Sequence, residues 1–288
     1  MDYIIHLAIY FAIFSIAGMS LNLIVGYTGL FSITHASFYG IGAYTTALLL
    51  TKMGFNFFPS VLCGVLITLL ASLLIGFVLS RFNDDFYTIG SLGFSTIVFA
   101  ILLNWRSLTN GGQGVFGVTR PSVMGYRLLS NFSFALLALT CFLIAYFLCR
   151  FIIRSSFGRV LKAIREDEKA IEIYGYNIMT FKLAIFIMGS MMAAVAGSLY
   201  ASYIGYIDPG VSGINESIFM FVIIIIGGLG NMRGPLYGTL ILILLPEVLR
   251  FLGLPILIAA KVQELLYGTL LTLLMLYRPQ GLVGEYKP

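Results

Sequence analysis

Charged residues divide this chain into long apolar stretches. From Tyr3 to Thr51 there is no Asp, Glu, Lys or Arg. One helix over that stretch would be about 70 Å long, against roughly 30 Å for the hydrocarbon core of a bilayer. The chain therefore has to turn back within it, and Gly26-Tyr27-Thr28-Gly29 is the predicted turn. Further uncharged stretches run over Met53–Ser80, Phe86–Trp105, Leu128–Cys149 and Leu183–Ile207, each long enough to cross. In the last third, Arg233, Glu247, Arg250 and Lys261 interrupt the pattern, and spans are predicted near residues 217–232, 235–252 and 256–277. The pattern predicts an all-α polytopic membrane protein with about nine spans (eight to ten), with residues 1–288 forming one transmembrane domain.

Composition strengthens this reading. Hydrophobic residues make up 59% of the chain and charged residues 10%, whereas a soluble domain carries about 25% charged residues. Lipid is the solvent such a surface suits. Cys63, Cys141 and Cys149 all lie in apolar stretches, with no spacing for a metal site or a disulfide framework. No basic segment precedes the first apolar stretch, which is also too long for a signal peptide, so it is expected to remain as the first span.

Charge also sets the expected orientation. Residues Arg150–Lys182 hold seven of the 17 basic residues, which predicts a cytoplasmic loop. The next loop, Gly205–Glu216, has Asp208 and Glu216 and no basic residue, so it is expected outside. Counting nine spans from there puts the Arg278–Pro288 tail inside and the N-terminus outside. Arg106, Arg120 and Arg127 then fall in an outer loop, against the rule. Glu216 and Glu247 are expected at span ends, facing water.

Small residues mark where helices meet closely. Gly189, Ala193, Gly197, Ala201 and Gly205 recur every four residues, beside Ser190, Ala194, Ser198 and Ser202. Such a face admits another backbone, and packing within the subunit is the favoured reading. Gly26-Tyr27-Thr28-Gly29-Leu30…Phe38-Tyr39-Gly40 is weakly echoed by Gly227-Gly228-Leu229-Gly230…Leu236-Tyr237-Gly238. Repeats with Gly-interrupted helices at matching places are common in transporters. Gly26, Gly29, Gly90, Gly93, Gly197, Gly227, Gly228, Gly230 and Gly234 are the candidate hinge or close-packing positions.

Catalytic motifs are missing. The chain has two histidines and no His-Glu-x-x-His, Gly-x-Ser-x-Gly or Gly-x-x-x-x-Gly-Lys-Ser/Thr, so it is expected to hydrolyse no ATP and to hold no metal or cofactor. Gly112-Gln113-Gly114-Val115-Phe116-Gly117 fits the dinucleotide fingerprint only formally. A membrane span precedes it, and no acid occurs between Asp85 and Glu166.

The loop at 150–182 is the most informative stretch. Phe157, Val160, Leu161, Ile164 and Ile171 share one helical face, with Arg159, Lys162, Arg165, Glu166 and Asp167 largely off it. One amphipathic helix of about four turns is predicted, ended by Gly175, with Asn177 capping the next. It is either an interfacial helix on headgroups or a lever against a soluble motor.

Ser155-Ser156-Phe157-Gly158-Arg159-Val160-Leu161-Lys162-Ala163-Ile164-Arg165-Glu166-Asp167-Glu168 resembles the cytoplasmic loop of LivM-type permeases, the branched-chain amino-acid family of bacterial ABC importers. That family usually has Pro where Ser156 stands. Gly227-Gly228-Leu229-Gly230…Gly234-Pro235, Arg278-Pro279-Gln280-Gly281-Leu282, Tyr87-Thr88-Ile89-Gly90-Ser91-Leu92-Gly93-Phe94 and Thr109-Asn110-Gly111-Gly112-Gln113-Gly114 are also similar to its motifs. Glu168-x-Ala170…Gly175 resembles the loop by which many importer permeases dock their ATPases.

The resemblance implies a permease subunit in a bacterial inner membrane. It would work with a second, LivH-type permease, two ATP-binding subunits and an extracytoplasmic substrate-binding protein. No nucleic acid is involved. Coupling to the ATPases would fall to Arg159, Lys162, Arg165, Glu166, Asp167, Glu168, Ala170 and Gly175. Polar groups within spans are candidates for the substrate path because lipid penalises them. These are Ser32, Thr34, His35, Ser37 and Tyr39 in the second span and Thr88, Ser91 and Ser95 in the fourth. Three rivals remain open: a urea or short-amide permease, a ribose-type sugar permease, and an ion-coupled secondary transporter. The last usually needs buried acids, and the central spans offer none outside Glu247.

Overall fold

The computed structural model describes residues 2–82, 84–123, 126–128, 130–251, 256–277 and 280–284. The first uncharged stretch folds into two helices, α1 (Asp2–Thr28) and α2 (His35–Lys52). The break falls at Gly29 (φ +74°) and the following five residues, just past the predicted turn. Then come α3 (Phe57–Leu79) and α4 (Asp84–Asn104), which runs unbroken through Gly90 and Gly93.

Residues 105–128 form a compact loop. It contains the short helix α5 (Arg106–Thr109), a 3-10 turn at Gly111–Gln113, strand β1 (Val115–Phe116), and strands β2 (Ser122–Val123) and β3 (Tyr126–Arg127), paired antiparallel. The formal dinucleotide fingerprint lies in this turn and strand. A side chain at Gly114 would collide with the Ile207 carbonyl, so the glycine serves packing and no phosphate cradle forms.

The second half begins with α6 (Asn131–Arg154), followed by α7 (Ser156–Glu166), α8 (Glu168–Ile173) and α9 (Ile178–Ile204). Strand β4 (Tyr206–Ile207) pairs antiparallel with β1, and a 3-10 turn covers Pro209–Ser212. Helices α10 (Ile214–Gly227), α11 (Gly234–Phe251) and α12 (Ile256–Tyr277) complete the bundle. Among the described residues, five helices are long and apolar enough to cross a membrane, namely α1, α3, α4, α6 and α9; α10 and α11 give shorter apolar helices. The chain is thus an all-α polytopic membrane protein, with the uncharged stretches falling on helices as expected.

Helix α1 lies at the centre. In its most apolar stretch 61% of residues are buried, against 22% in α3 and α6. The outer helices expose Leu62, Leu66, Leu70, Leu74, Leu136, Ile144 and Phe147 as lipid would require. The small-residue face of α9 packs on α2. The Ser198 hydroxyl donates to the Gly42 carbonyl (3.1 Å) and accepts from the Thr46 hydroxyl (2.8 Å). A methyl group added at Gly197 would sit 2.0 Å from the Tyr39 carbonyl oxygen. In this chain, then, the stripe serves packing within the subunit. In α11, Pro246 has no N–H to offer the Leu242 carbonyl, and the Tyr267 hydroxyl of α12 takes its place at 3.1 Å.

Candidate functional site: the α7–α8 loop and the helix breaks

The amphipathic stripe predicted for the polar loop buries Gly158, Leu161 and Ile164 on α7, and Phe157 stacks on Phe181 of α9 with centroids 5.2 Å apart. The single four-turn helix is not what forms. Asp167 adopts an extended conformation (φ −156°, ψ 101°), and its carboxylate accepts from the Ala170 amide at 3.1 Å. An Asp in that geometry is an N-cap, so it ends α7 and starts α8. Two other expectations hold: Gly175 has φ +84°, and the Asn177 side chain accepts from the Thr180 amide, capping α9.

The predicted coupling residues separate into two groups. Arg159, Glu166 and Asp167 are exposed. Glu168 pairs with Lys182 at the start of α9. Ala170 lies on α8, and Gly175 is exposed beyond it. Lys162 and Arg165 turn inward instead. The Lys162 ammonium lies 5.5 Å from the Tyr27 ring centroid. The Arg165 side chain is only 11% exposed; one guanidinium nitrogen donates to the Gly26 carbonyl at 2.5 Å and another pairs with Glu166 at 2.9 Å. Gly26 lies in the last turn of α1, where carbonyls have no helical partner.

The second glycine-rich break lies at the same place. The Asn22 side-chain oxygen accepts from the Gly230 amide (3.2 Å), and its nitrogen donates to the Asn231 carbonyl (3.0 Å). A methyl group at Gly230 would lie 2.6 Å from the Arg165 guanidinium. Gly227, Gly228 and Gly234 form the neck of the α10–α11 hairpin, where Gly227 and the Gly234 carbonyl leave no room for a side chain. In the tail motif, Arg278 and Pro279 lie outside the described residues. Leu282 and Val283 donate their amides to the Ile226 and Gly227 carbonyls, at 3.0 and 3.1 Å, and close the end of α10. One junction therefore joins α7, the end of α1, the α10–α11 neck and the tail.

The predicted path residues gather where α2 begins, but most of them bond to the protein itself. Ser32 bonds Thr34 (2.9 Å), the Ser91 hydroxyl accepts from the Ile33 amide (2.9 Å), and Ser37 donates to Ser95 (3.0 Å). Thr88 donates to the Phe31 carbonyl (3.0 Å). Together these bonds sew the α1–α2 break to α4. His35 is buried and its Nε2 lies 2.7 Å from the Ser20 hydroxyl, which itself donates to the Ala17 carbonyl. Nε2 is therefore the donor. Tyr39 differs: it is 1% exposed, and its hydroxyl has no hydrogen-bond partner among the described residues.

Sequence reasoning missed two features. Ile173 and Tyr174 at the end of α8 are 86% and 79% exposed, an apolar crest that the assumed continuous helix concealed. Glu216 was expected to face water at a span end. It does lie at a span end, in the first turn of α10, but half-buried, three residues before Phe219, which packs on Phe14 of α1.

Residues 3–276 match the family described as the permease component of the branched-chain amino acid transport system. The chain belongs to this permease family. It is 30% identical to the high-affinity branched-chain amino acid transport system permease protein LivM of Salmonella typhimurium, over 96% of this chain and 69% of the relative. The probable LivM of Methanocaldococcus jannaschii is 27% identical over 99% of this chain and 94% of its own length. The high-affinity branched-chain amino acid transport system permease protein LivH of Salmonella typhimurium is 26% identical over 94% of this chain and 91% of its own length. No solved structure matches the chain. Membership covers both the α7–α8 loop and the two helix breaks, so this is a transport permease, and the junction belongs to a transporter subunit rather than to an enzyme.

Proposed function

We propose that this permease is one of two membrane subunits of an ATP-driven importer of branched-chain amino acids in a bacterial inner membrane. A LivH-type subunit would be its partner, two ATP-binding subunits would dock on α7–α8 from the cytoplasm, and a binding protein would deliver cargo to the opposite mouth. The observation that carries this reading is the two-sided character of the α7–α8 loop. Arg165 ties α7 to the end of α1, while α8 presents Ile173 and Tyr174 with nothing among the described residues to cover them. An apolar crest of that kind, flanked by exposed charge, suits a protein partner. Motion of the partner would then reach the bundle through a charged hydrogen bond rather than through a flexible linker.

The test is reconstitution of the permease with its partner subunits and binding protein in liposomes, measuring labelled leucine uptake with ion gradients collapsed. Uptake requiring both ATP and the binding protein is expected. ATP-dependent uptake of urea or a sugar instead of leucine would keep the mechanism and replace the cargo. Uptake that follows an ion gradient and ignores ATP would overturn the proposal.

A further inference from the structure

At the end of α1 remote from α7, helices α1, α2, α9 and α10 bring tyrosines and the Glu216 carboxylate together. Tyr10 on α1 meets Tyr200 and Tyr203 on α9 edge-on, with centroids 6.3 and 5.9 Å apart. Tyr39 on α2 lies 5.7 Å from Tyr200. Phe14 joins Tyr200 (6.3 Å) to Phe219 of α10 (5.2 Å). Glu216 is one turn before Phe219 on the same helical face. Its position is set by its neighbour: the Ser217 hydroxyl donates to the Ile33 carbonyl (2.7 Å) and accepts from the Ala36 amide (3.3 Å), pinning the first turn of α10 to α2 one turn from Tyr39. These contacts bring the first turn of α10, which carries Glu216, to the end of the bundle where Tyr10, Tyr39 and Tyr200 meet, one from each of three helices.

The groups here lack what their counterparts at the α1–α2 break possess. Among the described residues Glu216 makes no ion pair, and the buried Tyr39 hydroxyl has no partner. A hydroxyl left in this way inside an apolar bundle is costly, and hydrogen bonding between helices does not account for it. A cationic ligand would. A carboxylate pairs with an ammonium, a tyrosine oxygen accepts from it, and aromatic faces attract it. We propose that Glu216 and Tyr39, flanked by Tyr10 and Tyr200, receive the α-ammonium group of the amino-acid cargo, with Phe14 and Phe219 beside its apolar side chain. The proposal rests on the cargo reading above and gives it a physical basis, because urea and neutral sugars carry no cation for Glu216 to bind.

The test uses the full reconstituted complex, with uptake normalised to assembled permease. Glu216→Gln keeps the shape and removes the charge, and should raise the half-saturating leucine concentration about tenfold or more. Tyr39→Phe removes an oxygen that nothing in the chain bonds. A packing role predicts no change, whereas the proposed site predicts a rise of about threefold with thermal stability unchanged. If Glu216→Gln fails to assemble, Tyr39→Phe decides alone. Half-saturation within about twofold of the unmodified complex for every variant that assembles would overturn the site and leave the cargo reading standing. An unmodified complex that carries a neutral solute but no amino acid would overturn both.

Discussion

Two polar clusters lie about 24 Å apart along α1, one around Gly26 and one around Tyr10. At Gly26, Asn22 uses both ends of its amide, Arg165 reaches a helix-end carbonyl, and the tail closes the neighbouring helix. Around Tyr10, among the described residues, the Tyr39 hydroxyl has no hydrogen-bond partner and Glu216 forms no ion pair. The difference separates a joint from a receptor. A cluster whose helix ends are bonded across the chain holds elements in one arrangement, and one with a buried unpartnered hydroxyl keeps bonding capacity for something that arrives.

That contrast can be broken by substitution. The largest effect is expected for Arg165→Ala, which removes a charged hydrogen bond worth about 1.5–3 kcal/mol and leaves the Gly26 carbonyl bare. Uptake should fall at least about tenfold while the complex continues to hydrolyse ATP; measuring both rates on one preparation checks this, and tightly coupled, normal uptake would show that the joint transmits nothing. Asn22→Ala loses two hydrogen bonds, a destabilisation of about 1–3 kcal/mol. It should lower the thermal midpoint of the purified permease, where Tyr39→Phe should not. Asp167→Ala removes the cap of α8 at a cost of about 1 kcal/mol. Since only a six-residue helix is loosened, uptake should drop by about twofold to threefold, with the bundle as stable as before.

The helices were legible because lipid forbids charge over long stretches, and the loop at 150–182 because its stripe follows the helical period. Gly175 and Asn177 were legible as local caps. The break at Asp167 was not, because an Asp is compatible both with a helix interior and with an N-cap, and only the backbone decides. Direction was also hidden. Periodicity placed Arg165 off the buried stripe, yet its side chain is long enough to reach across to Gly26, 139 residues away in sequence. The polar residues of α2 and α4 stood out as groups lipid penalises, but their spacing could not tell whether they bond cargo or one another. Glu216 was judged by its place at the edge of an apolar stretch, whereas Ser217 fixes which way that turn of α10 faces.

The backbone contact between α2 and α9 has a mechanical consequence. With Gly197 against the Tyr39 carbonyl, and Gly42 against Ala194, no side chain lies between the two helices at these two points to be compressed or repacked. The hydroxyls of Thr46 and Ser198 add a bolt across the same seam. The pair therefore behaves as one stiff beam. Whatever rocking opens the protein to either side must pivot around that beam rather than bend it.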